Sequence, residues 1–107
     1  ARLVDNGQIE NVFRLQIMNA TEQAQRYHLA VQGLPGITLE ALPELALAPA
    51  EARWVTVAAR IPAEAAQQAG PGAHAIQFQI GLLTTEASGQ PRTGLVLSEK
   101  STFVVPR

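Results

Sequence analysis

Cysteine is absent from the 107 residues. With it go a disulfide framework, a Cys-based zinc site, iron–sulfur ligation and a thiol nucleophile within this stretch. The absence does not fix the compartment, since many secreted domains also lack disulfides. Charge is sparse, at 16% of residues, and balanced, with eight basic against nine acidic side chains. That excludes the basic field of a nucleic-acid binder and the acidic block of a solubilising tail. Aromatics make up 5%, with one Trp and one Tyr. No run of about eighteen apolar residues occurs, so no segment reads as a membrane-spanning helix. Nor does any stretch have the layout of a secretory signal peptide. What remains is an apolar share of 47%, much of it alanine, which is that of an ordinary globular protein. A chain of this length buries roughly 65% of its unfolded surface, enough for one modest core. Residues 1–107 therefore read as a single domain. The chain opens on Ala1 rather than methionine, and it is expected to be a domain excised from a longer protein.

Period-two alternation dominates the pattern. In Ile9–Asn19, Phe13, Leu15 and Ile17 alternate with Arg14, Gln16 and Met18, the signature of a strand with one buried face. Tyr27, Leu29 and Val31 alternate with His28, Ala30 and Gln32, after a polar connection. Gly33-Leu34-Pro35-Gly36 reads as a turn. A short strand follows at Ile37–Leu42, ended by Pro43. Arg53–Ile61 is a further strand with Val55, Val57 and Ala59 facing inward. Ala75–Leu83 sets Ile76, Phe78 and Ile80 against Gln77 and Gln79. Leu95–Val105 and a weak Arg2–Val4 bring the expected count to seven. Pro62–Ala69 has helix-forming composition with proline suited to a first helical position, and Gly70 stops it. Thr84–Gly94 reads as a long mobile connection. Seven short strands with turn signals predict an all-β, immunoglobulin-like or fibronectin-III-like antiparallel sandwich. A small barrel is the alternative.

Few side chains point to chemistry. His28 and His74 are the only histidines. In such a sandwich the third and sixth strands run antiparallel side by side, which sets the two histidines roughly seven residues, or ~23 Å, apart. A shared metal is excluded in that topology. Met18 and His28 face outward on different sheets, so a copper site between them is not expected. The nine carboxylates are scattered, and Glu10 reads as a surface or strand-end contact. Ser88, Ser98 and Ser101 lack the setting of a nucleophile. Asn19-Ala20-Thr21 fits the glycosylation acceptor pattern, which is short and common. No catalytic, cofactor-binding or metal-ligating residue is assigned. Trp54 alone is a candidate partner contact. Packing under a loop at the sandwich edge is the favoured reading for it.

One run of residues is more specific. Ile9-Glu10-Asn11-Val12-Phe13-x-Leu15-x-Ile17-x-Asn19 is followed by Tyr27-x-Leu29-x-Val31-x-Gly33-Leu34-Pro35-Gly36, then Phe78-x-Ile80, and finally Glu99-x-Ser101-x-Phe103 with Pro106. This order resembles the C-terminal domain of the FixG/CcoG family, the cytochrome c oxidase accessory proteins, over about residues 2–106. Phe13 stands where the family usually has tyrosine. The Pro62–Ala69 segment and the loop after Leu83 look longer or richer in alanine.

The resemblance implies an inner-membrane parent with several transmembrane helices and a ferredoxin-like part binding two iron–sulfur clusters. That parent would serve assembly of the cbb-type oxidase by reducing copper before its insertion. This domain would then lie in the periplasm, hold no cofactor and catalyse nothing. It would be tethered to the membrane only through the parent. It would contact an oxidase subunit, a copper chaperone or the rest of its parent chain, and no nucleic acid. The competing expectations are a ligand-binding or spacer sandwich of an extracellular enzyme or adhesin, and a copper-handling module using Met18, His28 or His74.

Overall fold

The computed structural model describes residues 1–40 and 44–107. Among the described residues the chain forms eight strands in two antiparallel sheets. These are β1 (Arg2–Leu3), β2 (Ile9–Met18), β3 (Gln25–Gln32), β4 (Thr38–Glu40), β5 (Glu44–Leu47), β6 (Ala52–Ile61), β7 (Gly72–Thr85) and β8 (Pro91–Val105). The first sheet has the order β1-β2-β6-β4 and the second the order β5-β3-β7-β8. The fold is an immunoglobulin-like sandwich, as the pattern predicts.

The core lies between the sheets and takes the inward residue of each alternating pair. Leu15, Ile17, Val57, Ala59 and Ile61 come from the first sheet, and Tyr27, Leu29, Ile76, Phe78, Ile80 and Phe103 from the second. Phe13 meets the fully buried Phe78 edge-on across the gap, with ring centroids 5.0 Å apart. Full burial of side chains of this size contributes about 1.5–3 kcal/mol each.

Four elements depart from the sequence pattern. The strand expected at Ile37–Leu42 begins at Thr38, and its last residues and Pro43 lie outside the described residues. A strand not anticipated, β5, follows and joins the other sheet, pairing Gln25–His28 with Leu47–Glu44. The expected loop at Thr84–Gly94 is mostly strand: β7 runs to Thr85 and β8 starts at Pro91. Only Glu86–Gln90 turns, closed by Glu86 N–H donating to the Gln90 carbonyl at 2.9 Å. Proline is tolerated at the first residue of an edge strand because no ladder bond is lost there, and a two-sided exposed hairpin needs no apolar alternation. Finally, Pro62 caps the helix rather than beginning it. Helix α1 (Ala63–Ala69) starts one residue later and stops at Gly70, which adopts φ 80°. At seven residues it holds only by packing Ala65 and Ala66 into the core.

The Gly33–Gly36 turn is as expected, and Gly33 shows why. Its φ is 129°, and a Cβ there would lie 2.8 Å from the Ala75 carbonyl and the Ile76 Cα. The chain leaving β3 crosses β7 at backbone contact, which only glycine permits.

Candidate functional site

The structure gives each motif residue a job. Ile9 is core. Glu10, in contrast to the expected surface contact, is 4% exposed. One carboxylate oxygen accepts from Arg2 Nε at 2.7 Å and the other from Arg60 Nε at 2.9 Å. Register explains the geometry, since Glu10 faces Arg2 on one flank and Arg60 on the other. The Arg60 hydrogen bond, then that of Arg2, hold its carboxyl below the usual glutamate range against the opposing effect of burial. Asn11 joins the sheets: its Nδ2 donates to the Val104 carbonyl at 3.0 Å, and the Val104 N–H donates to its Oδ1 at 2.9 Å. Its amide thus stands in for a ladder partner of β8.

Asn19 organises the other end. It is fully buried. Its Nδ2 donates to the carbonyls of Gln23 at 2.7 Å and Ala48 at 3.0 Å. Its Oδ1 accepts from the Thr21 N–H and hydroxyl and from the Tyr27 hydroxyl, at 3.0, 2.7 and 3.1 Å. The glycosylation acceptor pattern is therefore contradicted as a site on the folded chain, because the amide nitrogen is enclosed and committed. These roles were not visible from residue type. The spacing Leu15-x-Ile17-x-Asn19 places Asn19 on the inward parity of β2, and that was the available signal.

The histidines stay apart. His28 lies opposite Gly81, and His74 lies seven residues along β7 at the other end of the pairing. His74 Nε2 donates to the Gly70 carbonyl at 2.7 Å and ties β7 to the end of α1. Met18 belongs to the first sheet and His28 to the second. Among the described residues no group of three or more His, Asp or Glu side chains gathers as a metal site. Ser98 and Ser101 face Gln79 and Ile76 across the β7–β8 ladder.

Trp54 is placed differently from the favoured expectation. It does not pack under a loop; it is 57% exposed on the outer face of the first sheet. The physical reason is parity: Val57, Ala59 and Ile61 of β6 face the core, so Trp54 points to the opposite face of the sheet. Trp54 sits opposite Gln16, diagonal to Arg14, whose guanidinium carbon lies 5.0 Å over the ring. Such a stack holds both side chains in a fixed pose. Val12 and Met18, also exposed, share the outward parity of β2. Trp, Arg and Met together on an exposed sheet face have the composition of an interface centre.

Fold and surface together define a class: an immunoglobulin-like sandwich whose motif residues are structural and whose one aromatic surface side chain faces outward. The chain belongs to the FixG C-terminal domain family, whose model, described as "IG-like fold at C-terminal of FixG", matches residues 1–106. That description provisionally labels FixG an oxidoreductase. The chain is also similar in fold to the crystal structure of a FixG-related protein from Vibrio parahaemolyticus. The TM-score is 0.68 at 22% identity, covering 92% of this chain and 80% of that one. No curated protein matches the chain.

Proposed function

We propose that this chain is a periplasmic, non-catalytic interaction module of a membrane-bound iron–sulfur protein that serves assembly of a cbb-type cytochrome c oxidase. In this reading the parent reduces copper and holds two clusters elsewhere in its length. The observation that carries the proposal is the family match over residues 1–106, which belongs to the C-terminal part of FixG. The structure supports the non-catalytic part through its polar side chains, because Glu10, Asn11 and Asn19 are committed to holding strands and loops together. Trp54 with Arg14 is the contact face, and the partner is an oxidase subunit, a copper chaperone or another part of the parent.

The test is to delete residues 1–107 from the parent in its own host. Oxidase activity and copper content are then measured beside the cluster signal of the membranes. The expected result is loss of assembled oxidase with the cluster signal retained. Unchanged oxidase sinks the proposal, and copper reduction by the isolated chain sinks its non-catalytic part. Trp54→Ala in the full parent is expected to reduce oxidase assembly. Its effect on the stability of this domain should stay within about 0.5 kcal/mol, since an exposed side chain is removed.

A further inference from the structure

The outer face of the first sheet carries one unmatched charge, and it lies inside an apolar patch. Alternation along β2 turns Val12, Arg14, Gln16 and Met18 outward. Val12, Met18 and Trp54 are each more than half exposed. Four arginines stand on this sheet, Arg2, Arg14, Arg53 and Arg60. Arg2 and Arg60 hold Glu10, and Arg53 holds Glu51. Arg14 alone has no carboxylate partner among the described residues. The residue opposite it, Thr56, and its outward neighbours along β2, Val12 and Gln16, are all neutral. Glu10 lies four residues along the strand, about 13 Å away, and is already held by two arginines. The contact with Trp54 fixes the Arg14 guanidinium 5.0 Å from the ring centroid, yet none of its five N–H donors meets a carboxylate.

Charge and apolar area together select the occupant. A guanidinium fork matches a carboxylate through two parallel hydrogen bonds. The apolar side chains around it favour apolar partners, because removing that area from water drives association. An anionic membrane fits poorly. Lipid-binding surfaces gather about 4–8 Lys or Arg, whereas Arg2 and Arg60, the other outward cations, are already matched by Glu10. A second copy fits poorly too. Among the described residues it offers this face only Glu10, which is buried, and Glu40, which already stands 3.6 Å from Arg60. Two copies face to face also bring both unmatched Arg14 groups into one contact, and like charges across an interface repel.

We infer that this face binds a segment of a partner protein that sets an Asp or Glu carboxylate against the Arg14 guanidinium and apolar side chains against Trp54 and Val12. The inference rests on the reading of Trp54 with Arg14 as the contact face and adds the chemistry of what that face meets. Stacking before contact holds the two long side chains in place, so less conformational freedom is lost on binding. The carboxylate gives selectivity, and the apolar contacts give affinity.

The test uses the 107-residue chain and three capped peptides, Val-Leu-Asp-Leu-Phe and its counterparts with Asn or Lys at the centre. Binding is followed by NMR shifts. The Asp peptide is expected to move the signals of residues 12–18 and 52–56. It is expected to bind at least about fivefold more tightly than the Asn peptide, with the Lys peptide weakest. Added salt narrows the gap. Trp54→Ala abolishes binding. Arg14→Glu, at an exposed position, reverses the order so that the Lys peptide binds best, which tests the charge rule with Trp54 in place. Unchanged melting temperatures show that both variants are folded. The inference is overturned by no shifts at millimolar peptide, by equal binding of the Asp and Asn peptides, by an unchanged order in Arg14→Glu, or by shifts centred outside β2 and β6. A dimer in sedimentation that Trp54→Ala dissolves makes a second copy the occupant and overturns it. Pelleting with phosphatidylglycerol vesicles that Trp54→Ala abolishes makes a membrane the occupant and overturns it as well. The role of the parent is decided separately, by deleting residues 1–107. Unchanged oxidase after that deletion sinks the parent reading, while Arg14-dependent binding of the Asp peptide would still stand.

Discussion

Asn11 satisfies both backbone groups of Val104 with one side chain, and it does so between strands of different sheets. Replacing it by alanine strips a donor and an acceptor at once and leaves a part-buried N–H and C=O without partners. The cost of such orphaned groups is about 1–3 kcal/mol, so Asn11→Ala is expected to lower the unfolding free energy by that amount, read as a lower urea midpoint with an unchanged slope. Asn11→Asp separates the two bonds. The carboxylate still accepts from the Val104 N–H but meets its carbonyl with no donor, so this variant is destabilised at neutral pH and partly recovers on acidification. Asn19 carries more contacts than Asn11, and Asn19→Ala is expected to cost about 2–4 kcal/mol, near the upper end for a buried polar network. A host able to modify Asn-x-Thr sequences is expected to leave the folded chain unmodified, read as a single unshifted mass. Nothing in the residue types of Ile9–Asn19 announced these roles. The motif was visible as a pattern, and its meaning needed the identity of the strands on either side.

At the scale of elements, glycine separates a crossing from a tip. Gly33 is pressed against the backbone of Ala75 and Ile76, while Gly89, with φ 85°, has nothing within 4 Å of where a Cβ would stand. Gly89→Ala therefore meets only the strain of the left-handed region, about 1–2 kcal/mol. Gly33→Ala meets strain and a backbone clash, and is expected to destabilise by more; paired chemical denaturation of the two variants checks the order. The strands themselves were legible where one face is buried: β2, β3, β6 and β7 alternate cleanly because core and solvent demand different residues. β5 was missed although Leu45 and Leu47 alternate with Glu44 and Ala46, because four residues after a proline give too few repeats to set a period. The start of β8 was missed for the opposite reason. Exposed on both faces, Pro91–Lys100 is under no burial constraint and so shows no alternation. The candidate contact at Trp54 was legible as outward parity, while its stack with Arg14 was not, since it depends on the diagonal register between β2 and β6.

Over the whole molecule, the first sheet is pinned by one carboxylate. Glu10 links β1 through Arg2 and β6 through Arg60, and Arg60 continues to Glu40 of β4 at 3.6 Å. All four strands of that sheet thus meet in one charge network. The carboxyl of Glu10 titrates below the ordinary value of 4.5, owing first to the Arg60 hydrogen bond. Glu51 is lowered too, first by the Ala48 N–H and then by Arg53. A carboxyl with a lowered value in the folded state binds its proton more readily in the unfolded chain. Its stabilisation is therefore complete above the ordinary glutamate range and is lost as pH falls through that range towards the folded value. The melting temperature is expected to be flat from about pH 7 to pH 5 and to drop below that. Glu10→Gln removes one of the two contributions, so the variant melts lower at neutral pH and its acid limb is shallower. Glu51→Gln shortens the limb in the same direction while leaving the β1–β2–β6 network intact. If the acid limb of Glu10→Gln is as steep as that of the parent chain, the network does not govern acid stability. Equal melting temperatures of the two proteins at neutral pH would show that the first sheet stands without its central carboxylate.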